Sequence, residues 1–180
     1  MAQLMSVFAS SAVLRKAMPK AFLSIGSNID PGRHIPAALK DLESSFGPLE
    51  VSSTFESEAE GFEGPLFHNL IVAFESDLPA ETIAERLRII EECHGRTRDS
   101  QKFSSRTLDI DLILWGDTKI NEGRLQIPRP EITRYAFVLE PLAEIAPDLR
   151  HPESGKTFGE LWSDFDRSHV RQRKLNTLRR

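Results

Sequence analysis

Hydrophobic and polar residues recur along the chain with two periods, and their order predicts alternating strands and helices. Apolar runs and apolar residues at every second position indicate strands, whereas spacings of three or four residues indicate amphipathic helices. The predicted strands are Lys20–Ile25, Val51–Glu58, Phe67–Phe74 and Leu108–Trp115. The two predicted helices carry Ile35, Ala38, Leu39, Leu42 and Phe46, and then Ile83, Leu87 and Ile90.

Proline and glycine place the ends of these segments. Pro36 is expected only in the first turn of a helix, so the first helix is predicted to begin near Arg33. Gly47 and Gly95 are predicted to end the two helices. A loop is predicted over Glu58–Pro65, a mobile loop over Arg96–Ser105 and a short helix over Phe137–Ile145.

The order of these elements is strand, helix, strand, strand, helix, strand. This order predicts a ferredoxin-like α+β fold, an antiparallel sheet with helices packed on one face. We expect a single domain over residues 20–163, an N-terminal extension at 1–19 and a solvated basic tail at 164–180. The acid-free extension is compatible with a mitochondrial-type presequence, but we favour a loosely ordered segment before a start at Met18.

Composition excludes several classes of protein. The chain has 180 residues, of which 39% are hydrophobic and 28% are charged, as in soluble globular proteins. A single cysteine, Cys93, excludes an intramolecular disulfide framework and indicates a reducing compartment, so we expect a cytoplasmic location. The chain lacks an apolar run of membrane-spanning length and has a net charge of −4. We therefore expect neither a membrane nor a nucleic acid as a partner.

Two aspartates on the last predicted strand are candidate metal ligands. Asp109 and Asp111 point to one face of that strand, while Leu108, Ile110 and Leu112 point to the other. The two carboxylates would lie about 6.6 Å apart along the strand, a spacing that can bracket two hard cations. A solvent-facing side of a strand that happens to repeat Asp is the alternative.

A basic segment leads directly into this pair of aspartates. It contains Arg96, Arg98, Lys102 and Arg106. Metal-binding carboxylates beside several guanidinium groups suit a polyphosphate, although ordinary surface charge is the alternative. The chain contains no G-x-x-x-x-G-K motif and no G-x-G-x-x-G after a strand, so neither common nucleotide-binding loop applies.

Other polar residues have two interpretations each. Asn69 shares a strand face with Phe67, so its amide could bind the edge of a heterocycle while the ring stacks on it. From this residue alone, a hydrogen bond to a loop backbone is favoured. Arg88 and Glu91 lie one helical turn apart, away from the apolar stripe, which indicates a solvated ion pair. The histidines lack zinc-binding spacing, and no serine lies in a nucleophile elbow.

The segment Arg106–Gly116 reads R-T-L-D-I-D-L-I-L-W-G and follows a G-R-x-R run. It resembles the signature of the 6-hydroxymethyl-7,8-dihydropterin pyrophosphokinase family of folate biosynthesis. The resemblance extends from about Ala21 to Phe158. It includes Leu23–Asn28, Val51–Ser53, Asn69, Glu91, Gly95–Arg98 and Glu140–Pro147.

The resemblance implies a ferredoxin-like monomer that transfers the pyrophosphoryl group of ATP to the hydroxymethyl oxygen of 6-hydroxymethyl-7,8-dihydropterin and releases AMP. It implies two Mg²⁺ ions held by Asp109 and Asp111, and catalytic roles for these aspartates, Arg96 and Arg106. The residues implied to bind ATP are Arg88, Glu91, Arg98, Arg106, Leu112, Arg124 and Arg129. Those implied to bind the pterin are Ser57, Phe67, Asn69, Phe103 and Phe137.

The chain differs from the family pattern in three places. Phe103 replaces a usual tryptophan, the loop Glu58–Pro65 is more acidic, and Pro128–Pro130 reads Pro-Arg-Pro where Pro-His and an aromatic residue are usual. Two alternatives from other classes are a catalytically weak pterin- or nucleotide-binding paralogue and a ferredoxin-like RNA-binding module. The intact aspartates and arginines argue against the first, and the missing aromatic RNP pattern argues against the second.

Overall fold

The computed structural model describes residues 18–95, 105–123 and 125–175. The strands are β1 Lys20–Ser27, β2 Glu50–Val51, β3 Phe55–Ser57, β4 Phe67–Glu75, β5 Asp109–Trp115, β6 Ile120–Glu122, β7 Leu125–Ile127 and β8 Gln172–Lys174. The helices are α1 Pro31–Phe46, α2 Ala80–Cys93, α3 Glu131–Arg134, α4 Ala136–Ile145 and α5 Phe158–Asp164. None of the described helices is long and apolar enough to cross a membrane.

Six strands form one antiparallel sheet with β1 and β4 at its centre. The order is β5-β1-β4-β3-β8, and β2 also pairs with β4. The strand predicted last therefore lies beside the strand predicted first, as in ferredoxin-like folds. The predicted α+β class, an antiparallel sheet with helices packed on it, is confirmed.

Helices cover both faces of this sheet, whereas the sequence analysis predicted them on one face only. Helices α1 and α2 pack against the sheet face that carries Leu23 of β1 and Val72 of β4. Helices α3, α4 and α5 pack against the opposite face, where Phe22 and Ile71 are buried. Because β1 and β4 are buried on both sides, their apolar runs are nearly continuous instead of alternating. The prediction of a single helical layer was wrong.

A β-bulge in β5 changes which face its residues occupy. Leu23 pairs with Leu112 while Phe22 pairs with Leu114, so Ile113 is an extra residue. Ile113 and Leu114 both pack into the core beneath α3–α5 although they are consecutive. The two aspartates precede the bulge, where strict alternation still holds.

Helix α1 begins earlier than predicted. It starts at Pro31 and keeps Pro36 inside the helix, and Gly47 ends it with a φ of 87°. Proline suits the first helical position because its φ is preset and the missing amide has no helical partner there. Pro36 has no backbone N–H and cannot donate a helical hydrogen bond. Burial of the apolar face of the helix, which includes Ile35 and Leu42, offsets that loss.

The predicted strand Val51–Glu58 is divided into β2 and β3. At the break, the Ile71 amide donates to Ser52 Oγ at 2.8 Å, while the Ser52 amide donates to the Ile71 carbonyl at 2.9 Å. A side-chain oxygen thus replaces a backbone acceptor, which interrupts the ladder between the two short strands. Serine at such positions offers the backbone an alternative to regular pairing.

The C-terminal segment is not simply a solvated tail, because Gln172–Lys174 form the edge strand β8 on β3. The β6–β7 hairpin and helices α3 and α5 were also not predicted. All of these elements are short, and fewer than eight residues give little periodicity to detect. Residues 1–17 of the expected N-terminal extension lie outside the described residues.

Candidate active site

A cavity of about 500 Å³ opens on the sheet face opposite α1 and α2. We call this the cavity face, and it is formed by Ser24 and Gly26 of β1, Asn69 of β4, and Asp109 and Asp111 of β5. Helices α3 and α4 close one side of the cavity and the loop after β3 closes another. Its further lining residues are Ser57, Glu58, Glu60, Phe62, Phe67, Arg106, Ile113, Arg129, Glu131, Arg134, Tyr135, Phe137 and Val138.

Each of the two aspartates lies next to an arginine. Arg106 Nη1 lies 2.5 Å from Asp109 Oδ2, and Arg129 Nη2 lies 3.3 Å from Asp111 Oδ1. The Asp111 side chain is 44% exposed, so it remains accessible from the cavity. Two carboxylates and two guanidinium groups therefore converge at the start of β5, which suits a site for an anion together with a cation.

The backbone of Arg106 is fixed by the end of β1. The side-chain oxygen Asn28 Oδ1 accepts a hydrogen bond from the backbone amide of Arg106 at 2.7 Å. The backbone amide of Asn28 in turn donates to the Arg106 carbonyl at 3.0 Å. Ser27 Oγ donates to the Thr107 carbonyl at 2.6 Å. The polar turn after β1 thus holds the start of the aspartate segment in place.

Glu131 is a cavity residue that the sequence analysis did not identify. Arg129 Nη2 lies 3.3 Å from Glu131 Oε1 as well as from the Asp111 carboxylate. Arg129 Nε and Glu131 Oε2 are buried and have no hydrogen-bond partner among the described residues. Buried polar atoms of this kind indicate a place where a ligand or ordered solvent supplies the missing contacts.

The donor set fits a magnesium ion that arrives with a phosphate ligand. Asp109 and Asp111 offer hard carboxylate oxygens, and no cluster of three or more His, Cys, Asp or Glu suited to a metal occurs within the described residues. Mg²⁺ typically takes one or two protein carboxylates and completes its shell with phosphate oxygens and water. Two carboxylates beside two arginines match that mode.

An amide and a hydroxyl form the opposite side of the cavity. Asn69 and Ser57 are 5% and 6% exposed, and Asn69 Nδ2 donates to Ser57 Oγ at 2.9 Å. Gly26 pairs with Asn69 on one side and with Asp109 on the other. A Cβ at Gly26 would lie 3.1 Å from Asn69 Oδ1 and 3.6 Å from the Phe67 ring. The absence of a side chain at Gly26 therefore keeps the space between the amide and the carboxylate open.

Aromatic rings line this side of the cavity. Phe67 and Phe62 meet edge to face with ring centroids 6.3 Å apart. Phe137 stacks on Tyr135 with centroids 5.0 Å apart and an interplanar angle of 12°. Planar rings beside a buried amide suit a flat heterocycle, because stacking and edge recognition can act together.

Three of the residues implied to bind ATP do not line the cavity. Glu91 is 5% exposed and accepts a hydrogen bond from the Ile110 amide at 2.8 Å, so the interpretation as a solvated ion pair with Arg88 was wrong for Glu91. Arg88 is exposed on α2. The Leu112 side chain is buried beneath α1 and α2 and therefore does not reach the cavity.

The cavity brings together eight residues that the sequence analysis singled out: Ser57, Phe67, Asn69, Arg106, Asp109, Asp111, Arg129 and Phe137. Four others, Arg96, Arg98, Phe103 and Arg124, lie outside the described residues. The predicted mobile loop Arg96–Ser105 also lies outside them, apart from its last residue.

Comparison with known proteins identifies the family. The model of the 7,8-dihydro-6-hydroxymethylpterin-pyrophosphokinase (HPPK) family matches residues 22–147. The chain is 39% identical over 150 residues to the 2-amino-4-hydroxy-6-hydroxymethyldihydropteridine pyrophosphokinase of Synechocystis sp., covering 81% of this chain and 76% of that protein. It is 35% identical over 146 residues to the enzyme of the same name from Pseudomonas aeruginosa, covering 79% of this chain and 89% of that protein.

Solved structures support the fold. A crystal structure of HPPK-DHPS in complex with substrates matches with a TM-score of 0.65 at 13% identity, over 81% of this chain and 43% of that one. The wild-type Plasmodium falciparum HPPK-DHPS with pteroate matches with a TM-score of 0.64 at 14% identity, over 81% of this chain and 42% of that one. The chain thus spans less than half the length of these two-part proteins.

Proposed function

The chain belongs to the 7,8-dihydro-6-hydroxymethylpterin-pyrophosphokinase family, and we propose that its cavity transfers the pyrophosphoryl group of ATP to the hydroxymethyl oxygen of 6-hydroxymethyl-7,8-dihydropterin. The products are AMP and the pterin diphosphate, an intermediate of folate biosynthesis. The bond that forms joins the hydroxymethyl oxygen to the β-phosphorus, and the bond that breaks joins that phosphorus to the α-phosphate oxygen, which leaves with AMP. The hydroxyl proton is released to solvent.

One row of residues across the sheet carries this proposal. Asn69, Gly26 and Asp109 are paired side by side on β4, β1 and β5. With neighbouring strands about 4.8 Å apart, the amide and the carboxylate residues are separated by about 9–10 Å. This separation allows a pterin bound at Asn69 to extend its hydroxymethyl group over Gly26 toward phosphates bound near Asp109.

Asp109 and Asp111 are proposed to hold two Mg²⁺ ions together with the phosphates of ATP. When bound, Mg²⁺ supplies Lewis-acid stabilisation of phosphate charge. The carboxylates contribute negative charge and a fixed position at the start of β5. Their neighbouring arginines keep that position defined through the ion pairs at Asp109 and Asp111.

The arginines are proposed to bind the phosphates. Arg106 and Arg129 line the cavity beside the aspartates, and Arg96 and Arg98 are assigned the same role from the family motif. Guanidinium groups form two parallel hydrogen bonds to phosphate oxygens, so they both orient the chain of phosphates and stabilise charge that moves during transfer.

The pterin side is proposed to work by recognition and alignment. Asn69 and Ser57 bind the polar edge of the heterocycle, while Phe67 and Phe137 contact its faces, with Phe103 assigned to the same site from the family motif. Holding the hydroxymethyl oxygen in line with the phosphate supplies much of the rate enhancement in such transfers, because positioning and electrostatics dominate phosphoryl chemistry.

Activity as a monomer in the cytoplasm remains part of the proposal. The single cysteine supports a reducing compartment such as the cytoplasm. Two of the solved relatives are fused HPPK-DHPS chains, so size measurement in solution is the direct check of the oligomeric state.

A coupled assay of AMP release tests the proposed function. We expect AMP only when ATP, Mg²⁺ and 6-hydroxymethyl-7,8-dihydropterin are all present. Asp117→Asn is the matched control for substitution of a cavity aspartate, because Asp117 is an exposed aspartate just beyond the end of β5. Binding of both ligands by the unsubstituted protein without AMP release would support the alternative of a binding module.

A further inference from the structure

The C-terminal strand β8 forms the edge of the sheet next to the side of the cavity that Asn69 and Ser57 form. It pairs antiparallel with β3, so Gln172 lies opposite Ser57 and Lys174 lies opposite Phe55. Directly opposed residues share a face of the sheet. Gln172 and Lys174 therefore point to the cavity face, whereas Arg173 points to the other.

The side chain of Gln172 bridges from this edge to the helix that carries Phe137. Gln172 Nε2 donates to Glu140 Oε2 and also to the Ala136 carbonyl, at 3.4 Å from that oxygen. Ala136 is the first residue of α4, and Glu140 follows one turn later. These bonds hold the first turn of α4 against the sheet edge. Phe137, in that turn, lines the cavity.

A second group of bonds ties the same helix to the sheet edge. Glu144 Oε1 accepts hydrogen bonds from the amide and the hydroxyl of Ser53, at 2.9 and 2.7 Å. Glu144 Oε2 lies 3.0 Å from Lys174 Nζ. Burial raises the pKa of Glu144, but these bonds outweigh it, so the pKa lies below its usual range. The charged carboxylate is thus the stable form and keeps α4 attached at two successive turns.

We propose that Gln172 is a positioning residue of the pterin site, through which the C-terminal strand holds the Phe137 ring at a fixed distance from the Asn69 amide. This inference rests on the proposed function. Gln172 does not line the cavity, and it acts through β3 and the first turn of α4. The aspartates lie on β5 at the opposite edge of the sheet. Loss of the Gln172 bonds therefore affects the pterin and spares ATP.

Calorimetric titration of 6-hydroxymethylpterin, the oxidised form of the substrate, tests this role in the presence of Mg²⁺ and a non-hydrolysable ATP analogue. We expect Gln172→Ala to raise the Kd for the pterin by about fivefold, the change that corresponds to about 1 kcal/mol, the value of one lost hydrogen bond. The Kd of the ATP analogue stays within twofold. In turnover, KM for the pterin rises while kcat changes little.

Two further variants separate positioning from general loosening of the edge. Arg173→Ala is the matched control, because Arg173 lies on the same strand, faces away from the cavity and is 73% exposed beside Glu56. It leaves pterin binding within twofold. Gln172→Lys restores much of the affinity, because its ammonium group can donate to Glu140 and to the Ala136 carbonyl. Hydrogen exchange of the amides in residues 136–140 is faster in Gln172→Ala alone.

The outcomes distinguish the two claims. If the unsubstituted protein binds no pterin, the proposed function is contradicted, and this inference with it. If the unsubstituted protein binds pterin but Gln172→Ala binds it as tightly, the inference alone is overturned. Equal losses for the pterin and the ATP analogue, or equal losses in Gln172→Ala and Arg173→Ala, would also overturn it, since they indicate a loosened sheet edge.

Discussion

The two faces of the central sheet are built from alternate residues of the same strands, yet only one of them opens into a polar cavity. On one face Leu23, Ile25, Val72 and Leu112 are sealed beneath α1 and α2. On the cavity face α3–α5 bury a second apolar cluster, and only the part that opens to the cavity holds mainly small or polar side chains from the sheet. Both faces therefore contribute burial that stabilises the fold, and the cavity face also presents polar groups to the cavity.

Several polar side chains of the cavity face pair with one another. Arg106 lies beside Asp109, Arg129 lies beside Asp111, and the Asn69 amide donates to a serine hydroxyl. Such pairs add little net stability, because each partner gives up hydration to form them. They fix the positions of groups that a ligand can bind, so changes on this face are expected to alter activity more than stability.

The largest expected effect is on the cavity face. We predict that Asp109→Asn lowers kcat by about 10²–10³-fold, since loss of a ligand charge removes several kcal/mol of Lewis-acid stabilisation. The free energy of unfolding changes by less than about 1 kcal/mol. Steady-state kinetics and urea denaturation measure the two quantities. Normal Mg²⁺-dependent turnover would refute the metal assignment.

A substitution on the opposite face should give the reverse result. Leu112 lies one residue beyond Asp111 and is 5% exposed beneath α1 and α2. We predict that Leu112→Ala lowers the free energy of unfolding by about 2–5 kcal/mol, through lost burial and the cavity it leaves. At low temperature, kcat per folded molecule stays within about threefold of the unsubstituted value, because the expected cost falls on stability. A larger loss of kcat would show that the two faces are coupled.

A smaller effect is expected at Gly26, which lies between Asn69 and Asp109 in the sheet. Gly26→Ala places a Cβ 3.1 Å from Asn69 Oδ1, so the amide must shift by a few tenths of an ångström. We expect the Kd for the pterin to rise about tenfold, since a displaced polar contact costs about 1–3 kcal/mol. Gly32→Ala is the control, because a Cβ there meets nothing within 4 Å. Unchanged pterin affinity in Gly26→Ala would place the heterocycle elsewhere.

The smallest expected effect is a pH dependence on the α1/α2 side. His34 and His94 join α1 to the end of α2 with their Nδ1 atoms 3.0 Å apart, and His94 also contacts Asp41. Burial lowers the pKa of His34, and the charges of His94 and Arg33 add to this, while Asp30 opposes it. The neutral form is favoured in the fold, so stability is complete above the unfolded pKa of 6.5 and is lost as pH falls below it.

Thermal unfolding between pH 8 and pH 5 checks this pH dependence. We expect the decrease in melting temperature to be smaller in His34→Gln, which cannot gain a proton. An identical decrease in the variant would assign the pH dependence to other groups.

The sequence predicted the fold best where periodicity is long. The β1 and β4 runs, the face of α2 and the alternation at Asp109 and Asp111 all occur as expected, because burial dictates them. The short elements were missed. Strand β8 depends on pairing with β3, which lies more than a hundred residues earlier, and no local pattern encodes that contact.

The residues of the candidate site were also predicted only where a local pattern identifies them. The aspartates, Arg106 and Asn69 could be found because their spacing places them on one strand face or in one motif. Glu91 was misinterpreted as solvated, although it lies one turn after Leu87 on the buried face of α2. No local pattern shows the Ile110 amide that it binds. Glu131 was missed because α3 has only four residues and shows no periodicity, and only the folded chain brings this carboxylate into the cavity with Asp111.

Phosphorus NMR of the reaction products tests most directly the claim that the cavity face transfers a pyrophosphoryl group. With ATP, Mg²⁺ and 6-hydroxymethyl-7,8-dihydropterin, we predict AMP and the pterin diphosphate in equal amounts, in the unsubstituted protein and in folded Leu112→Ala. We predict very little of either product with Asp109→Asn. Formation of ADP and a pterin monophosphate, or of AMP and free pyrophosphate, would refute pyrophosphoryl transfer by the cavity face.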